Sequence, residues 1–558
     1  MTHTQALSRT QVLARAPRLL PAVACVVVAA AAASVGLTNE GYVSTSGDMP
    51  RYLMNGVFML DLLRDHPFGS LDNLIEYARL YYARYPALSI GHHPLLVSVA
   101  DVPSFALFGV SVLAGRLPVI IFFAAGTLYL YRLVSEWYDE WAGAAAALAL
   151  ATSPLLVRLS QSVMSEPPAV ALLIIAAYYL HRYCVNGTRR ALVLFVLCAG
   201  ASVWSKQLAI AAFPSFALYA GARLGIRRLF SRDLVLAALA LIVIVAPLVP
   251  LALAMSPDNV GIIAYGPTGA AVGENWLLIR ALAEALFTQF ASPMAVVAAA
   301  GAVAVAWRRG PEAWLLFPWI AGVAVAVFLG TRFVEVPRYS LFWTPAWAAA
   351  IGALLAGSRQ MRRAVAAVVV LLVGVQVSGL VASRLPGAGG YEAAARYVVE
   401  HPYGSTVLFS GDVDSGFFVF FVRKHDEARR LVVLRADKIL TTSRLADPAV
   451  EDRIEHPEAI RPILTELGVG YVVIEDRPSE SKVLEWLRSE LKSDAYVERL
   501  RVPVESTDRR LRGSNLVVYQ VRNAPAHAPD ARVEVRLPVI STEVDVALAD
   551  LVNRKHLR

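Results

Sequence analysis

Long apolar runs separated by short polar loops fill the first two thirds of the chain. The first, Leu19 to Leu37, follows Arg9, Arg15 and Arg18 and approaches the ~20 residues a helix needs to cross a bilayer. Its basic start, apolar core and small residues near Ala33 also suit a signal peptide, but so many later runs favour an uncleaved first helix. Either reading puts residue 38 outside. Glu40 to His93 is the first long polar stretch, and within it 50–64 and 71–84 mix aromatics, leucines and arginines as interfacial helices do. The run 94–108 is too short to span comfortably and holds Asp101 and Pro103, so it reads as re-entrant or interfacial. Spans are then predicted at about 117–134, 142–158, 167–183, 190–205, 207–222, 234–254, 286–307, 313–330, 339–356 and 364–382.

Loop charge orients these spans. Arg182, Arg189 and Arg190 fall on one side, with Arg223, Arg227, Arg228 and Arg232, with Arg308 and Arg309, and with Arg359, Arg362 and Arg363. With the first helix running outward, that side is cytoplasmic. The acidic loop Glu136–Glu140 is the exception, and acids weigh lightly in this rule. Were 94–108 to span, every later basic loop would face out. The expected fold class is a polytopic α-helical membrane protein of about eleven spanning helices plus interfacial or re-entrant helices, multi-pass in a plasma (inner) membrane, with a cytoplasmic N-terminus.

From about 384 the charge rises and the apolar runs shorten. Thr406–Ser410, Leu431–Leu434 and Val469–Ile474 read as buried strands, Leu516–Val521 as another, and 390–400 and 481–492 as helices. The expected division is a membrane domain, 1–383, with a catalytic first external loop at 38–94, and a C-terminal external (periplasmic) α/β domain, 384–558. Pro525, Pro529 and Pro538 interrupt the last stretch, and no repeat of 20–50 residues is apparent.

Composition agrees. Hydrophobic residues make up 57% and charged ones 17%, far from the roughly 25% charged content of soluble domains, which excludes an ordinary soluble enzyme and a disordered chain. The formal charge of +8 resides in loop arginines and does not point to nucleic acid. Cys25, Cys184 and Cys198 lie in or beside apolar stretches without metal-ligand spacing, so neither a disulfide framework nor a zinc site is read.

The topology sorts the unusual polar residues onto one face. Asp48 in SGDMPRY, His92 and His93 in GHHPLL, Glu166 in SQSVMSEPP, Lys206 in VWSKQ, and Glu335, Arg338 and Tyr339 in RFVEVPRYS all fall at the outer surface. Charges at membrane depth are costly and mark function by default. Each has a plainer reading: Asp48 as a helix N-cap ahead of Pro50 and Arg51, Glu166 as a helix N-terminal acid before Pro167, Lys206 as a snorkelling lysine, Arg338 and Tyr339 as an interfacial anchor, the histidine pair as a turn. Arg116 is expected to cap or anchor its span, and Asp101 to find a partner in the bundle. Two carboxylates suit acid–base work or a divalent cation, and a lysine and an arginine at headgroup height suit a phosphate. A transporter of an anionic solute is equally compatible with these residues alone.

The order of the motifs resembles the C-type glycosyltransferases, near the bacterial branch that holds lipid A aminoarabinose transferase and relatives of the protein O-mannosyltransferases. The likeness runs over about 18–360 and is carried by SGDMPRY at 46–52, GHHPLL at 91–96, LFGVSVLAGRLP at 107–118, SPLLVRLSQSVMSEPP at 153–168, GASVWSKQ at 200–207 and EVPRYSLFWTPAW at 335–347. It implies transfer of a hexose or pentose from a polyprenyl-phosphate donor to a lipid, glycan or protein hydroxyl, with inversion. It implies Asp48 as base or metal contact, and Glu166, where the family often has aspartate, as the second catalytic carboxylate. Lys206, Arg338 and Tyr339 become the donor-phosphate group, and His92, His93 and Arg51 candidates for acceptor or metal. A divalent metal stays open as cofactor, without ligand spacing to support it. The stretches 50–64 and 71–84 are expected to form a lid over the lipid entrance. The alternatives are a transporter or flippase of anionic lipid-linked sugars, which would want midplane polar groups and internal symmetry, and a glycan ligase or polymerase using a diphosphate-linked donor.

Overall fold

The computed structural model describes residues 19–42, 48–90, 93–255, 275–330, 336–356, 359–382, 387–411, 415–442, 451–479, 481–523, 526–537 and 542–553. Helices dominate up to Ala382. Three of them, Val112–Trp137, Glu166–Asn186 and Arg232–Leu251, are each long and apolar enough to cross a membrane. Small residues let helices approach closely: a Cβ on Gly126 would lie 2.7 Å from the Ala171 Cβ, so only glycine fits there.

Several expected spans are broken. The stretch 142–158 is two helices, Glu140–Ala151 and Pro154–Ser160, bent by 63°, and 286–307 falls across Ile279–Gln289 and Ser292–Arg308, bent by 109°. Proline explains both breaks: Pro154 and Pro293 open the second helices, where their missing N–H costs nothing but cannot continue the preceding ladder. Counting each bent pair once, five spans qualify among the described residues, so an eleven-crossing architecture must also use the shorter apolar helices. Leu96–Phe108 has 13 residues, a rise of about 20 Å against a hydrocarbon core of about 30 Å. Glu136 meets Arg182 at 2.9 Å, which brings the exceptional acidic loop to the same end of the bundle as the arginines after Tyr183.

The C-terminal part carries a five-stranded mixed sheet. Its strands are β1 (Thr406–Ser410), β2 (Val432–Arg435), β5 (Val469–Glu475), β6 (Tyr496–Pro503) and β7 (Asn515–Val521), in the order β2-β1-β5-β7-β6. β1 is parallel to β2 and β5, while β7 is antiparallel to β5 and β6. Short strands β3 (Thr441–Thr442) and β4 (Glu451–Asp452) pair, and β8 (Arg532–Leu537) and β9 (Thr542–Ala547) form a hairpin within the stretch that showed no sequence pattern. The helices at Tyr391–Glu400 and Lys482–Glu490 lie where the pattern put them. Ser415–His425 was not anticipated, because its FFVFFV core is apolar all round and lacks a helical period; it is buried almost throughout.

The two amphipathic stretches of the first loop are helices Asp48–Asp65 and Leu71–Arg84, the latter capped by Ser70 accepting from Asn73 N at 3.1 Å. Tyr52, Val57, Tyr77 and Tyr81 share one continuous core with Phe417, Phe420 and Val433 of the C-terminal part, apart from the core of the helical bundle. Charge fastens the same seam. Arg84 donates to the carbonyls of Arg429, Leu431 and Leu551, and Arg429 Nη2 reaches Asp65 Oδ1 at 2.7 Å. The loop helices are thus built into the sheet domain, with Leu63, Phe68, Leu71 and Ile75 left exposed at their turn.

Candidate active site

Four side chains from distant segments meet in one buried cluster. Asp48 opens the helix Asp48–Asp65, and Glu166 opens Glu166–Asn186 ahead of Pro167 and Pro168. Lys206 ends Arg189–Ser205, and Arg338 sits on the single turn Val336–Tyr339. The Arg338 guanidinium bridges the two acids: Nη2 donates to Asp48 Oδ2 and Nε to Glu166 Oε1, both at 2.7 Å. Lys206 Nζ lies 3.4 Å from the same Glu166 oxygen. All four are buried. Arg182, near the far end of the Glu166 helix, is about 24 Å along the axis at 1.5 Å per residue, so this cluster and the basic loop after Tyr183 lie at opposite ends of that helix.

The other oxygen of Asp48 is held loosely. Oδ1 has His93 Nε2 and Arg51 Nη1 each at 3.5 Å. Burial raises the Asp48 carboxyl, but His93, Arg338 and Lys206 outweigh it and hold the group well below the usual carboxylate range, so it is ionised at neutral pH. Burial lowers His93 in spite of Asp48, leaving a neutral imidazole at pH 7. Tyr339 faces both cations, with Lys206 Nζ and the Arg338 guanidinium carbon each 5.9 Å from its ring centre. The proposed set Asp48, Glu166, Lys206, Arg338, Tyr339, His93 and Arg51 is therefore contiguous, while His92 and Glu335 lie outside the described residues.

Two supporting residues escaped the sequence reading. Tyr52 stacks on His93, ring centres 4.7 Å apart, and its hydroxyl pairs with Ser165 Oγ at 2.6 Å. Its place in SGDMPRY was the available signal. Gln289, at the 109° break, gives Nε2 to the Pro337 carbonyl at 2.9 Å and to Ser340 Oγ at 2.8 Å, while its Oε1 accepts from Trp343 Nε1 and Thr344 Oγ1. It clamps the turn that carries Arg338, and nothing in an apolar run marks a lone glutamine for that task. Arg116 anchors as expected, giving Nη1 to the Gly36 and Leu37 carbonyls at 2.8 Å. Asp101 finds no hydrogen-bond partner among the described residues: it is fully buried against Gly56 with both carboxyl oxygens unmatched there.

A divalent cation between the two acids would need their oxygens turned toward one point. Arg338 holds that place with two short hydrogen bonds, so the side chains as arranged do not fit such an ion. Among the described residues no group of three His, Cys, Asp or Glu side chains is placed to hold a metal.

Residues 92–251 match the dolichyl-phosphate-mannose-protein mannosyltransferase family. No curated protein matches the chain. Among solved structures it is similar to ArnT from Cupriavidus metallidurans bound to undecaprenyl phosphate, at TM-score 0.59 and 14% identity, covering 93% of this chain and all of that one. The apo form of the same protein gives 0.55 and 14%, over 91% of this chain and 99% of that one. The apo oligosaccharyltransferase of Archaeoglobus fulgidus gives 0.50 and 12%, over 81% and 69%. The motif order, the helical bundle ending in a sheet-containing domain and these likenesses agree: the chain is a multi-pass membrane protein with the C-type glycosyltransferase fold.

Proposed function

We propose that the chain is an integral-membrane glycosyltransferase that moves a sugar from a polyprenyl-phosphate donor to an acceptor hydroxyl at the external membrane face. The observation that carries this is the Arg338 bridge: two carboxylates and two cations, from four separate segments, packed within reach of one headgroup. The undecaprenyl phosphate bound in the similar ArnT structure supports the donor class.

In this reading Asp48 Oδ1, the loosely held oxygen, takes the acceptor proton. The acceptor oxygen attacks the anomeric carbon, a new C–O bond forms on one face, and the bond to the phosphate oxygen breaks on the other, giving inversion. The bonding pair leaves with the phosphate, whose charge Arg338 and Lys206 neutralise. As they turn toward that phosphate they loosen their hold on Asp48 and Glu166, which raises the basicity of Asp48 when it is needed. Glu166 orients Arg338 and Lys206, and Tyr339 holds them from the ring side. No step runs through a metal.

In this reading the N-terminus lies in the cytoplasm, the basic loops inside, and the sheet domain outside a plasma (inner) membrane. The test is transfer of radiolabelled sugar from a polyprenyl monophosphate by the purified full chain in vesicles, with Asp48→Asn as control. Label should reach an acceptor only with the wild type. Transfer from a diphosphate-linked donor alone would favour a ligase or polymerase, and lipid translocation without a new glycosidic bond a flippase.

A further inference from the structure

The short helix Ala436–Ile439 continues β2 and carries a lysine with little to hold it. Lys438 is 7% exposed. Its nearest carboxylate among the described residues is Asp437, 3.9 Å away, beyond hydrogen-bonding reach. That acid is already taken: Arg435 grips it with Nε at 2.9 Å and Nη2 at 2.6 Å. A buried ammonium normally has a full set of acceptors. Lys438 instead has cationic neighbours. Arg435, Arg51 and Arg453 all disfavour its charge, and together with burial, the largest cause, they outweigh Asp437 and bring its pKa down to about 8.

This cluster sits at the seam next to the active site. Arg435 Nη1 donates at 3.0 Å to the Pro86 carbonyl, in the stretch that leads to His93. On the neighbouring helix Gly416 rests on Pro50, where an added Cβ would come within 2.8 Å of Pro50 Cγ. Arg51 follows Pro50 and has Asp48 Oδ1 at 3.5 Å, the oxygen that would take the acceptor proton. Arg435 and Lys438 thus share one carboxylate, Asp437, and Arg51, near enough to Lys438 to disfavour its charge, ties them to the base.

We propose that Lys438, with Arg51 and Arg435, forms an anion seat on the acceptor side of the site, built for a phosphate or carboxylate group. Naming the acceptor as its occupant rests on the glycosyltransferase reading; the seat itself does not. An anionic group there would give Lys438 an acceptor nearer than the 3.9 Å of Asp437 and fix the acceptor hydroxyl near Asp48, while Lys206 and Arg338 keep the donor phosphate. The sheet domain would then select the acceptor, with a negatively charged one preferred.

Two measurements on the full chain in detergent test this separately. First, thermal unfolding is followed with undecaprenyl phosphate at saturation, comparing inorganic phosphate with chloride at equal ionic strength. Phosphate should raise the unfolding temperature of the wild type, and Lys438→Gln should lose at least half of that rise, whereas Lys492→Gln, on the exposed surface, should keep it. No rise in the wild type, or an equal rise in Lys438→Gln, overturns the seat whether or not the chain is a transferase. Second, in the transfer assay Lys438→Gln should raise the acceptor KM about tenfold and leave the donor KM within twofold. A raised donor KM with an unchanged acceptor KM would assign the seat to the donor and overturn the acceptor role.

Discussion

Arg423 of the sheet domain grips Asp61 of the first-loop helix in a buried two-pronged ion pair, Nε to Oδ2 at 2.9 Å and Nη2 to Oδ1 at 2.6 Å. Tyr81 completes it, donating to Asp61 Oδ2 at 2.7 Å. The helix that begins with Asp48 is thereby fixed to the C-terminal part of the chain, and the position of the proposed base depends on a contact 362 residues away in sequence.

Removing one partner strands the other charge in the core. Arg423→Met should therefore cost about 3–5 kcal/mol of stability, seen as a lower unfolding temperature. The double variant Asp61→Leu with Arg423→Leu should recover much of the loss, since no lone charge remains. A double variant less stable than either single one would show that the pair does more than cancel charge.

At the site, the lysine and the arginine should fail differently. Lys206→Met removes a cation without breaking the bridge between the acids, so it should raise donor KM several-fold with a smaller effect on kcat. Arg338→Lys keeps the charge but cannot reach both carboxylates with separate nitrogens, and should lower kcat about a hundredfold. Steady-state kinetics with varied donor would separate the two. Identical profiles would argue against distinct roles.

Gln289 should behave as a positioning residue. Gln289→Leu leaves the Trp343 N–H, the Pro337 carbonyl and Ser340 without it, at about 1–3 kcal/mol for each buried group left unsatisfied. Unfolding temperature and kcat should fall together. Gln289→Glu keeps the acceptor for Trp343 and should fall between the two. A normal kcat in a destabilised Gln289→Leu protein would mean that Arg338 holds its place without the clamp.

Lys438 gives a pH signature of defined sign. Its folded pKa of about 8 lies below the 10.5 of a free lysine side chain. Between these values the unfolded chain binds more protons than the folded one, so stability rises with pH there. Below pH 8 the full penalty of a buried charge is present. Lys438→Gln should therefore be more stable than wild type at pH 7, and the advantage should shrink as pH climbs from 8 toward 10.5. Asp48 adds no slope in that range: its depressed pKa contributes stability that is present above the ordinary carboxylate value and lost only as pH falls toward the folded one. An advantage of Lys438→Gln that stays constant from pH 7 to 10 would contradict the buried, poorly paired ammonium.

Much of this was legible from residues alone, because its causes are local. Apolar length and loop arginines mark a membrane bundle, alternation and short apolar runs mark β1, β2, β5 and β7, and a costly charge at a membrane surface flags Asp48, Glu166, Lys206 and Arg338 before any contact is known. What the sequence left open depends on partners distant along the chain. The burial of the loop helices in the sheet domain, the clamp by Gln289 and the lone carboxyl of Asp101 among the described residues carry no local signature. Whether four charges repel, pair or leave room for an ion is a matter of ångströms, and only packing sets that; here it put one guanidinium between two acids.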